Sequence, residues 1–138
     1  DTKSKGAPEA TLTQGSSSLG TVSYYTETWT GGTTDGVQDT PISAANATSA
    51  PLSLHLAGDA CATFWAVTYG PAKTDGTPGI DPVGILAVSY APGVAMTSPP
   101  KQNRIDLPAL PSGDWVLVVD LQFGTTGGGQ GVIRVHVP

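Results

Sequence analysis

Chemistry in this sequence concentrates in the stretch SYYTETWTGG, where Tyr25, Glu27 and Trp29 recur at every second position. Alternate residues of an extended strand share a face, so these three would stand together, with Val22, Tyr24, Thr26 and Thr28 opposite them. Burying an unpaired carboxylate is costly, so the face that carries Glu27 is expected to meet water. Two rings beside an acid on a wet sheet face can hold a sugar, the rings stacking on its C–H faces while the carboxylate accepts hydroxyl protons. The competing reading is architectural: Trp29 folds under the TGGTTDG loop and Tyr25 packs along a neighbouring strand. One strand supplies only half of a binding platform, which favours architecture.

The other candidates are sparser. His55 and His136 both take outward parity between aliphatic residues and could meet if their strands pair. Neither has a third ligand that can be named, so surface positions are expected rather than a metal site. Cys61 is the single cysteine. It cannot form an internal disulfide, and within DACATFW it reads as a small buried hydrophobe, slow to react with thiol reagents. No Cys-His-Met cluster surrounds it, which disfavours blue copper. Asp75 and Asp81, within KTDGTPGID, offer a weak Ca²⁺ alternative with backbone carbonyls between them; the spacing departs from an EF-hand, and Asp-Gly and Asp-Pro are ordinary turn formers. Asn46-Ala47-Thr48 is a formal glycosylation sequon. The glycine-rich GTTGGGQG has no Lys and no following helix, so a hairpin loop accounts for it better than an anion cradle. A Gly-x-Ser-x-Gly elbow, a His-Glu-x-x-His pair, a Gly-x-x-x-x-Gly-Lys loop and a Cys-x-x-Cys pair are all missing. No catalytic residue is named on these grounds, and no cofactor is expected.

The elements that must position these residues read as about seven strands. Residues 19–30 form the first. APLSLHLAG alternates, with Leu52, Leu54 and Leu56 on one side of Ser53 and His55. ATFWAVTYG is apolar on both faces, with Trp65, Val67 and Tyr69 on one and Phe64 and Ala66 on the other. VGILAVSYA places Leu86, Val88 and Tyr90 together, and NRIDLPAL holds a short strand that Pro108 ends. The clearest patterns come last. In GDWVLVVDLQF, Trp115, Leu117, Val119, Leu121 and Phe123 share one parity. In GVIRVHVP, Ile133, Val135 and Val137 do the same. Those eight residues are the expected buried centre. Seven to eight such strands, with no helical period, describe an all-β fold, an antiparallel two-sheet β-sandwich of Ig-like or jelly-roll-like type.

The chain has 138 residues, 18 Gly, 12 Pro and only 12% charged residues, which suits one β domain and disfavours long solvated helices. The expected boundaries are a flexible N-terminal tether over 1–18 and the sandwich over 19–138. A net charge of −5 without a basic cluster argues against nucleic acid and anionic membranes as partners. The longest aliphatic run, Val116 to Val119, is too short to enter a bilayer. The polar start at Asp1 looks like a tether left after a leader or anchor was cut away, which suits an exported protein.

The layout TLTQG, LGTVSYYTETW, PLSLHLAG, LPSGDWVLVVDLQF and GGQGVIRVHV resembles an uncharacterised extracytoplasmic β-sandwich domain of bacterial lipoproteins and membrane-anchored proteins. The resemblance spans most of the chain. It departs where the family often carries cysteines, since Thr26 and Gln38 stand there instead, and it implies export without implying an activity. The leading expectation is therefore a non-enzymatic, extracytoplasmic interaction or accessory module with an unknown protein or glycan partner at the cell surface. The alternative is a carbohydrate-binding module using Tyr25, Glu27 and Trp29. A hydrolase stands third, because no carboxylate pair can be placed at the separation that glycoside chemistry needs.

Overall fold

The computed structural model describes residues 8–29, 32–35, 44–72, 83–88, 102–124 and 127–138, of which 25–29 and 32–35 are described by their backbone alone. Every element among them is a strand: β1 (Ala10–Gln14), β2 (Ser17–Thr21), β3 (Ser23–Trp29), β4 (Gly32–Asp35), β5 (Ala44–Asn46), β6 (Leu52–Leu56), β7 (Phe64–Pro71), β8 (Gly84–Val88), β9 (Arg104–Leu107), β10 (Gly113–Phe123) and β11 (Gly127–Val137). They form two sheets. The smaller runs β2-β1-β6-β9 and the larger runs β4-β3-β11-β10-β7-β8, with β5 added parallel to β11. This is the expected all-β sandwich, with more strands than the seven or eight anticipated. No helix among the described residues is long and apolar enough to cross a membrane.

Period-two alternation builds both layers. In the smaller sheet, Leu52, Leu54 and Leu56 of β6 are buried beside Ala10 and Leu12 of β1 and Ile105 and Leu107 of β9. The intervening Thr11, Thr13, Ser53, His55, Arg104 and Asp106 take the other face. In the larger sheet, Leu117, Val119 and Leu121 of β10, Trp65 and Val67 of β7, and Ile133, Val135 and Val137 of β11 are buried in the same cluster. Trp115 and Phe123, at the two ends of β10, are only partly buried against it. Tyr69 meets Trp115 edge to face, with ring centroids 5.3 Å apart.

Several expectations change. The segment assigned to a tether through residue 18 supplies β1 and β2, so the sandwich includes residues from 10 onward. Gly15, at φ 62°, makes the turn between them, a conformation that glycine adopts without the Cβ penalty. Ala10 and Leu12 are fully buried, but two small apolar residues among threonines give a weak alternating signal. The single strand expected over 19–30 is two, β2 and β3, and β4 lies within TGGTTDG, which reads as loop. The glycine-rich hairpin loop is mostly strand: Gly127 to Gly131 pair along both β10 and β3. The outer face of β10 also holds a small apolar cluster that parity does not anticipate, with Val116 and Val132 buried and Val118 and Ala72 packed against them. Tyr90 lies outside the described residues.

Cys61 is exposed, not buried. The regular strand begins only at Phe64, and the buried neighbour is Ala62, which bridges to Gln102. Alternation cannot be extrapolated back through the bend before β7. Rapid labelling of Cys61 by a thiol reagent in the native protein is therefore expected, at a rate close to that of the denatured chain; labelling that waits for denaturant would return the thiol to the core.

Candidate functional site

Strand β3 is held between β11 and β4. Glu27 stands opposite Gly129 of β11 and Thr34 of β4, and Trp29 stands opposite Gly127 and Gly32. Trp29 thus has glycine on both neighbouring strands. Between Tyr24 and Thr26 the register with β11 slips at Gln130/Gly131, a β-bulge that takes up Tyr25. The uninterrupted alternation from Val22 to Trp29 assumed from sequence therefore breaks at Tyr25. Gly131 allows the bulge, since a Cβ there would lie 2.5 Å from Val22 Cγ1 and 2.7 Å from the Ser23 carbonyl oxygen. The side chains of Tyr25, Glu27 and Trp29 lie outside the described residues. The hydroxyl of Tyr24, one residue earlier, donates to the Pro8 carbonyl at 2.9 Å.

On the outer face of the larger sheet, Asp120 and Gln122 of β10 and Gln130 of β11 put polar side chains in two adjacent rows of cross-strand partners. One row reads Phe64, Gln122, Gly128, Thr28 and Thr33, and the next reads Ala66, Asp120, Gln130, Thr26 and Asp35. Gln122 is exposed, while Phe64, Asp120 and Gln130 are half-buried. Burial pushes the Asp120 carboxyl above its usual range, and a side-chain hydrogen bond from Gln122 works against that rise. The Gln122 amide also lies over Gly128, where a Cβ would come within 2.8 Å of Nε2. These rows escaped the sequence reading. Asp120 and Gln122 were legible as polar parity, but their partners across the sheet depend on pairing.

The histidines do not meet. His55 belongs to the smaller sheet, between Thr11 and Arg104, and His136 to the larger, where Nδ1 lies 2.7 Å from Asp114 Oδ1. Beside His55, Arg104 pairs with Asp106 at 2.6 Å. The hydrogen bonds from Arg104 and from Ser53 hold the Asp106 carboxyl below its ordinary range. Asp75 and Asp81 lie outside the described residues. Among the described residues, no group of three or more His, Cys, Asp or Glu could hold a metal ion.

No family model matches the sequence, and no curated protein matches it. Solved structures do. A lytic polysaccharide monooxygenase from Jonesia denitrificans is 13% identical at a TM-score of 0.44, aligned over 74% of this chain and 63% of its own. The catalytic domain of an LPMO from Listeria monocytogenes is 18% identical at a TM-score of 0.39, over 70% of this chain and 60% of its own. A further polysaccharide monooxygenase is 15% identical at 0.43, again over 70% and 60%. This chain therefore spans 60 to 63% of the lengths of these structures. These neighbours, described as polysaccharide monooxygenases, stand against the expectation of a non-enzymatic interaction or accessory module with a protein or glycan partner. The two histidines stand in separate sheets, and the described residues bring no metal-ligand set together.

Proposed function

We propose that this protein is an extracytoplasmic, carbohydrate-directed β-sandwich that engages polysaccharide through Glu27 and Trp29 on β3, with Tyr25 at the bulge beside them. The observation that carries the reading is the position of Trp29 between Gly32 and Gly127. A sugar stacks on an indole only where neighbouring side chains leave the ring clear, and glycine on both sides contributes none. Glu27, two residues along the same strand, brings a carboxylate that can accept hydroxyl protons. The resemblance to exported bacterial sandwich domains supports a location outside the cytoplasm.

Binding to insoluble chitin and cellulose and to soluble hexasaccharides of each tests this directly. The double change Tyr25→Ala with Trp29→Ala is expected to abolish retention while leaving the melting temperature nearly unchanged, with about 1 kcal/mol or more of affinity lost per ring. A lowered melting temperature with affinity intact would instead mean that the rings shield the adjacent glycines and close the sandwich.

A further inference from the structure

We infer that β5 is a strap that opens separately from the rest of the sandwich, latched over one edge of β11 by the side chain of Gln14. The inference is independent of the carbohydrate reading. On one edge, β11 pairs with β10 along its whole length. On the other, β3 accompanies it only from Gly127 to Val132, because β3 begins at Ser23, where the chain crosses from the smaller sheet. One residue earlier, the Val22 N–H still donates to the Ala10 carbonyl of β1. The rest of that edge, Arg134 to His136, is taken by Ala44, Ala45 and Asn46 of β5, running parallel. With β5 lifted, those main-chain groups would be left as a bare edge, the kind that accepts a strand from another chain.

Little apolar surface seats the strap. Its side chains alternate, with Ala45 and Ala47 buried and Ala44, Asn46 and Thr48 exposed. Each inward position therefore gives the core one methyl group. β5 has only three residues, and parallel pairing is slightly less stable per residue than antiparallel pairing.

Gln14 supplies what packing does not. Its Oε1 accepts from the Thr48 N–H at 2.9 Å, and its Nε2 donates to the carbonyls of Thr48 at 3.1 Å and of Ala50 at 2.8 Å. The side-chain amide thus pairs with both main-chain groups of Thr48 as a neighbouring strand would, and ties the end of β1 to the segment between β5 and β6. The Ala47 N–H, donating to the His136 carbonyl at 2.9 Å, carries the pairing with β11 one residue past β5. The three Gln14 bonds form only when the strap is seated, so they are lost together when it lifts. One exposed side chain over two buried methyl groups makes opening far less costly than unfolding the core strands.

Amide hydrogen exchange of the native protein, followed by NMR across low urea concentrations, tests this. The Ala47 amide is expected to exchange with little dependence on urea, because lifting the strap exposes little surface. Leu54 of β6 and Val119 of β10 should show the steep dependence of global unfolding. An Ala47 amide that shares the steep dependence would mean that β5 opens only with the whole domain, which overturns the inference. Gln14→Ala is expected to speed Ala47 exchange in the absence of urea by about tenfold or more while keeping its shallow urea dependence. A change within about twofold would remove Gln14 as the latch and overturn the inference in that form. Should Gln14→Ala not fold, the urea dependence of the wild-type Ala47 amide decides alone.

Discussion

Trp65→Ala is expected to destabilise the protein by about 3 to 5 kcal/mol, a large share of a typical domain's stability. Trp65 is the largest of the fully buried side chains and sits on β7 opposite Leu121. Its indole Nε1 donates to the Gln102 carbonyl at 3.2 Å, tying the larger sheet to the segment that leads into β9. Truncation removes the ring, leaves a cavity and cuts that tie. The carbonyl is not orphaned, because the Ala62 N–H also donates to it at 2.9 Å, so the cost falls mainly on lost packing. Trp65→Phe should therefore cost clearly less, since it keeps most of the apolar contact and gives up one hydrogen bond worth about 0.5 to 1.5 kcal/mol net. Urea denaturation of both variants measures this. Equal losses would mean that the hydrogen bond, rather than the ring, holds the site.

The contrast between Trp65 and Cys61, four residues apart, shows where sequence patterns stop. Within β7 the alternation is regular and the burial of Trp65 and Val67 follows from it. At Cys61 the same apolar neighbourhood misleads, because a bend separates it from the strand and alternation has no meaning across a bend. The last two strands were legible for the opposite reason. From Gly113 to Phe123, β10 pairs with β11 without a slip, so parity carried the burial of Leu117, Val119, Leu121, Ile133, Val135 and Val137 correctly. It overstated only Trp115 and Phe123, at the strand ends.

The candidate site was less legible because its determinants are non-local. Tyr25, Glu27 and Trp29 were visible as residue types, but the bulge at Tyr25 is decided by β11, where Gly131 leaves no space for a side chain against Val22 and Ser23. A run of glycines between two strands reads as a loop when taken alone. Only its partners reveal that Gly127, Gly128 and Gly129 are strand residues facing Trp29, Thr28 and Glu27. Likewise, Asp120 and Gln130 are ten residues apart in sequence and become neighbours through the hairpin. A polar row across a sheet is a property of pairing.

The second large effect is expected from Leu117→Ala, at about 2 to 5 kcal/mol. Leu117 is fully buried on β10, between Tyr69 of β7 and Ile133 of β11. Because β10 is an interior strand, both neighbours are fixed by ladders of their own and can move little to fill the space, which places the cost toward the upper part of that range. Ile133→Val, on the adjoining strand, should cost only about 0.5 to 1.5 kcal/mol by itself. Combining the two tests whether these residues share one core. If they line the same cavity, the double change should depart from the sum of the single ones by about 0.5 kcal/mol or more. Strict additivity, together with a Leu117→Ala loss below about 0.5 kcal/mol, would put this face of β10 in solvent, since surface changes usually stay within that limit.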